Sequence, residues 1–141
     1  MELNDLYRRV IMDHYKNPRN RGELEDESVS VQLNNPTCGD RISLQLQVEN
    51  GVVTNARFTG EGCSISMSSA SMMTEAVKGR TFEEALSLAE RFSSLMQGEE
   101  VEFDELEDIE ALSGVNKFPA RIKCATLAWN ALKKGIEPQK H

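Results

Sequence analysis

The sequence predicts an α+β fold in which a three-stranded antiparallel sheet packs with about five helices. Apolar and polar residues alternate in three consecutive runs, the period of a half-buried strand. Asn50-Gly51 separates the last two runs, and this dipeptide is a strong hairpin signal because both turn positions need positive φ. On either side of these runs, apolar residues recur at steps of three and four, as on a helix with one buried face.

Each element has its own signal. Leu3, Leu6, Tyr7, Val10, Ile11 and His14 share a helical face over 3–16, and Asn17-Pro18 followed by Asn20 and Gly22 ends it. Val29, Val31 and Leu33 alternate, then Ile42, Leu44, Leu46 and Val48, then Val52, Thr54, Ala56 and Phe58. The stretch CSISMSSASMMTEAVKG over 63–79 reads as a helix with Ile65, Met72, Met73, Ala76 and Val77 inward and Gly79 as its stop. Its small residues permit close packing. Thr81 and Glu84 form a capping-box pattern that opens a helix running to about Met96. A last helix places Phe118, Ile122, Ala125, Trp129 and Leu132 on one face, with Pro119 in its first turn and its end near Gly135. Phe118, Trp129 and the helical methionines are expected in the core.

A chain of 141 residues fits one domain over 1–141 and can bury a core without disulfide support. Its 39% apolar and 28% charged residues are ordinary for a globular protein, and no apolar run approaches the roughly 20 residues of a membrane span. The opening MELNDLYRRVIMDHY mixes charges among its apolar residues, unlike an export signal, so a cytoplasmic location is expected. The net charge of -7 is concentrated: residues 99–110 hold eight acidic side chains and no basic one, which reads as a solvated loop or short helix. No dense basic stripe offers itself to nucleic acid. No GxSxG, P-loop or GxGxxG pattern is present, so acyl transfer and nucleotide chemistry lack their usual apparatus.

The three cysteines, in an odd count and a reducing compartment, are expected as thiols available for metal binding or sulfur chemistry. A simple meander brings the loop after the first strand, with Cys38 and Asp40, to the same sheet edge as Cys63, just past the third strand. Gly39 and Gly62 free the backbone beside these two cysteines, and Cys63 opens a helix whose N-terminal dipole favours a thiolate. Arg121 and Lys123 flank Cys124 and act in the same sense. Nothing in the spacing brings Cys124 to the other two. Three thiolates and one carboxylate suit the tetrahedral preference of Zn2+, but each cysteine alone also reads as a small buried apolar residue and Asp40 as a turn residue. Of the two histidines, His14 lies on the apolar side of the first helix and reads as structural, and His141 ends the chain. A histidine-based zinc hydrolase therefore has no support.

The segments NNPTCGD, GEGCSIS and KFPARIKCATLAW resemble, in order and setting, the three cysteine motifs of the IscU/SufU family, whose domain is NifU N-terminal-like. The opening LYRRVIMDHYKNPRNRG is similar to that family's first helix, so the resemblance spans nearly the whole chain. Scaffold members of the IscU type carry a histidine just before the third cysteine and an LPPVK-like motif upstream; here Lys123 and Phe118-Pro119-Ala120-Arg121 stand in those places. The GEEVEFDELEDIEALSGV stretch is similar to the insertion typical of the SufU branch. The resemblance implies Zn2+ held by Cys38, Asp40, Cys63 and Cys124. It further implies sulfur transfer for iron-sulfur cluster assembly from a SufS-type, pyridoxal-phosphate cysteine desulfurase to a downstream scaffold. Cys38 is expected as the sulfur acceptor, because its loop is the most easily moved of the three settings, and Arg121 as a docking or orienting residue. The alternative is an IscU-like scaffold on which iron and sulfide are built into a cluster at the same residues.

Overall fold

The structure is a computed structural model that describes residues 3–36, 39–99 and 107–140. Helix α1 (Leu3–Lys16) leads to strands β1 (Val29–Asn35), β2 (Asp40–Glu49) and β3 (Val52–Glu61). Helices α2 (Ser64–Val77), α3 (Phe82–Met96), the single turn α4 (Glu107–Glu110) and α5 (Pro119–Ile136) follow, with 3-10 turns at Ser113–Lys117 and Glu137–Lys140. The sheet order is β1-β2-β3, both pairs antiparallel, as the alternation predicts. Asn50 and Gly51 take φ values of 51° and 76°, as the hairpin requires.

Alternation fails at one place. Gln47 pairs with Asn55 and Val48 with Val53, so Thr54 is an extra residue between the two pairs. This bulge reverses the facing of the strand's start. Val53 becomes the buried residue and Thr54 is exposed, its hydroxyl donating to the Gln47 carbonyl at 3.0 Å. Beyond the bulge, Ala56 and Phe58 join Ile42, Leu44 and Leu46 on the buried face.

Helices α5 and α2 cover that face. Glycine at 135 allows α5 to lie close to β1: a Cβ there would stand 3.0 Å from Val29 Cγ1 and 3.2 Å from Val31 Cγ2. Helix α2 is buried from Ser66 to Thr74 and needs a partner for every hydroxyl, since an unpaired buried hydroxyl is costly. Ser68 donates to the Ile11 carbonyl at 2.7 Å, tying α1 to α2. Ser69 donates to the Ala125 carbonyl at 2.6 Å and accepts from Trp129 Nε1 at 3.1 Å, tying α2 to α5.

Helix α3 begins at the expected capping box, with reciprocal bonds between Thr81 and Glu84. Its Phe92 ring stacks on buried Trp129 with centroids 4.9 Å apart. His14 is structural, as expected: it is buried, with Nδ1 2.8 Å from Ser71 Oγ and Nε2 2.7 Å from Asp108 Oδ2. It thereby joins α1, α2 and α4.

Phe118 departs from the expectation of a core residue, being 61% exposed. It precedes Pro119 as the N-cap of α5, with φ -123° and ψ 88°. A residue before proline is driven out of the helical region, so Phe118 does not share the buried face of Ala125 and Trp129.

Candidate metal centre

The end of β1, the start of β2, the start of α2 and the second turn of α5 meet in one corner of the fold. Asp40 belongs to strand β2 and not to the preceding loop, as spacing alone suggested. It is the first residue of the ladder, on the same inward face as Ile42 and Leu44, and is fully buried. Cys63 is the N-cap residue of α2 and is half-buried. Cys124, whose approach spacing could not supply, is fully buried on α5 beside them. One ligand atom from each of Asp40, Cys63 and Cys124 lies within 4.8 Å of the others. Cys38 lies outside the described residues.

Several local features hold this arrangement. The Cys63 backbone N–H donates to Asp40 Oδ1 at 3.0 Å, joining the first residue of β2 to the first turn of α2. Gly62 has no room for a side chain: a Cβ would press on Asp40 Oδ1 and stand 2.6 Å from Ser66 Oγ. Ser66 donates to the Cys63 carbonyl at 3.0 Å and lies 3.8 Å from Cys63 Sγ. Asn35, which the sequence reading passed over as part of a loop, donates from Nδ2 to Asp40 Oδ2 at 3.3 Å and to Cys124 Sγ at 3.9 Å. Its signal was available, because Asn35 continues the inward alternation of Val29, Val31 and Leu33.

The electrostatics favour anions here. Burial acts to raise the pKa of Asp40, but the Cys63 N–H and then the Cys124, Ser66 and Asn35 side chains outweigh it, holding the carboxyl below its usual range. Arg121, exposed in the first turn of α5, is held even more firmly as a cation, first by the charge of Cys63 and then by hydrogen bonds with Cys124 and Cys63. Cys63 and Arg121 also border an open groove floored by Ile11, Met12 and Ile65 and edged by Phe118.

Two thiols and a carboxylate so close together match the soft, small-site chemistry of Zn2+ or iron better than the all-oxygen shells of Ca2+ and Mg2+. Three donors leave a position for a fourth, and Cys38 is two residues from Asp40 in sequence.

Comparison with known proteins places residues 6–140 in a match to the NifU-like N terminal domain family. The chain is 62% identical over 135 residues to the zinc-dependent sulfurtransferase SufU of Bacillus subtilis, covering 95% of this chain and 91% of that protein. It is 53% identical over 137 residues to the iron-sulfur cluster assembly scaffold protein IscU of Streptococcus pyogenes, covering 96% of this chain and 86% of that one. The crystal structure of a candidate iron-sulfur cluster assembly scaffold protein for the SUF system, from Fervidobacterium islandicum, superposes with a TM-score of 0.88. That pair is 29% identical, over 96% of this chain and 100% of the other.

Proposed function

Because the chain belongs to the NifU-like N-terminal domain family, we propose that it is a zinc-dependent sulfurtransferase of iron-sulfur cluster assembly. It acts as one cytoplasmic domain over 1–141, accepting persulfide sulfur from a SufS-type cysteine desulfurase and passing it to a downstream scaffold. The observation that carries this reading is the convergence of Asp40, Cys63 and Cys124 within 4.8 Å. Cys38 completes the donor set in this proposal.

Bound zinc supplies a charge that keeps its thiol ligands deprotonated at neutral pH. The protein's own residues then do the transfer. Cys38 is the acceptor: its thiolate attacks the outer sulfur of the donor's cysteine persulfide. A new S–S bond forms on Cys38, the donor's S–S bond breaks, and the donor cysteine leaves as a thiolate. The sulfane sulfur moves with no net oxidation or reduction. Arg121, exposed beside Cys63 and Cys124, meets the incoming donor and orients its anionic persulfide.

The test is anaerobic purification, metal analysis and an assay of sulfide release by a cognate desulfurase. The proposal requires tightly held zinc and strong acceleration of the desulfurase, lost in Cys38→Ala and reduced in Arg121→Ala. Persulfide acceptance that survives unchanged in Cys38→Ala rejects that residue as acceptor. The Streptococcus relative favours a second reading, a scaffold for cluster assembly. A cluster that forms from iron and sulfide on this chain and passes to an apo-acceptor is the outcome that selects it. Lys123, in place of a histidine before the third cysteine, weighs toward sulfur transfer.

A further inference from the structure

Asn35 and Asp40 are direct cross-strand partners, the last pair of the β1–β2 ladder. Directly opposed side chains on one face of an antiparallel pair lie within reach of each other. Asn35 is 6% exposed and occupies the inward position that Val29, Val31 and Leu33 fill with hydrocarbon further along the strand. Packing alone would be served by another aliphatic residue, and a buried amide is unfavourable unless its N–H groups find acceptors.

The Asn35 amide nitrogen donates to two groups of the metal centre. Nδ2 lies 3.3 Å from Asp40 Oδ2 and 3.9 Å from Cys124 Sγ. One side chain thus bridges two candidate ligands, one on β2 and one on α5, and both are fully buried. Cys63 is held differently: its sulfur lies near Ser66 Oγ, it is half-buried, and it borders the open groove.

We infer that Asn35 is a positioning residue of the metal centre, whose amide holds Asp40 and Cys124 together. The inference rests on the metal-centre reading, so its test reads metal binding and not sulfur transfer. Hydrogen-bond partners of metal ligands fix ligand orientation, and their loss typically weakens metal binding by about 10–100-fold.

The experiment compares the full chain with Asn35→Leu, similar in size but without donors. Zn2+ affinity is read by competition with a chromophoric chelator, and Co2+ serves as a spectroscopic probe of the same ligands. Asn35→Leu should weaken Zn2+ binding by about 10–100-fold and shift the thiolate-to-cobalt and d–d bands. Leu33→Ala, at the neighbouring inward position of the same strand, should leave both unchanged. In an Asp40→Ala background the Asn35→Leu loss should shrink, because one of the two contacts of the Asn35 amide is already gone and only that to Cys124 remains.

Unchanged affinity and spectrum in Asn35→Leu, or full additivity of the two losses, overturns the inference. If Asn35→Leu yields too little folded protein, Asn35→Ser gives the same reading, since its hydroxyl is too short to bridge both partners. A chain that binds Zn2+ and Co2+ but moves no sulfur removes the proposed function and leaves this inference standing. Metal binding indifferent to residue 35 removes this inference alone.

Discussion

The backbone N–H of Cys63 donates to the Asp40 carboxylate at 3.0 Å, so one hydrogen bond fastens the start of α2 to the first residue of the central strand β2. Asp40 is therefore both a candidate ligand and a brace for the loop that carries another one. Asp40→Ala should weaken zinc binding and also lower the stability of the metal-free chain by about 1–3 kcal/mol, because the Cys63 N–H loses its acceptor. Metal content together with thermal denaturation of the chelated protein checks both parts. Weakened zinc binding with no change in the metal-free melting temperature would remove the bracing role.

Gly62 makes a second prediction through close approach alone. A methyl group there would press on Asp40 Oδ1 and crowd Ser66 Oγ at 2.6 Å. Gly62→Ala should cost about 1–3 kcal/mol, the usual range for overpacking, and reduce zinc occupancy. Gly51→Ala is the contrasting variant, since residue 51 has open space but a φ of 76°. It should lower stability through backbone strain while zinc occupancy stays complete.

His14 should matter for folding and not for chemistry. Its two ring nitrogens bond Ser71 and Asp108, holding α1, α2 and α4 together. His14→Phe leaves the Ser71 hydroxyl without this partner and should cost about 1–3 kcal/mol. Sulfur transfer per folded molecule should equal that of the parent; a specific loss of turnover at full zinc occupancy would give His14 a role in the reaction.

Glu84 makes a pH prediction. Its carboxylate accepts from the Thr81 backbone N–H, and that bond, then the Thr81 side chain, lowers its pKa. A group whose folded pKa is depressed contributes stability that is present above the unfolded value, about 4.3 for glutamate. That contribution is lost as pH falls through the folded value. The difference in melting temperature between the parent and Glu84→Gln should therefore be largest near neutrality and shrink below about pH 4.3. A difference that grows in acid would contradict the capping role.

Sheet and helix assignments were legible because they depend on periods only a few residues long. Asn50-Gly51, the Thr81–Glu84 box and the alternation from Ile42 to Val48 each act within one turn or one strand, and each appears where expected. Thr54 was not legible as a bulge, since the extra residue exists only relative to its partner strand. Phe118 was misread because helical spacing was extended one residue past Pro119.

For the metal centre, sequence by itself determined that Asp40 and Cys63 share a sheet edge, because a meander with a known turn leaves no other place for them. It also supplied the family resemblance that named Cys124. Only the tertiary structure decided that Cys124 and Arg121 reach that corner and that the Asn35 amide bridges Asp40 to Cys124. The physical reason is the docking of α5: its rotation and height over β1 are set by packing along its length, including the close approach at Gly135, and no local period encodes them.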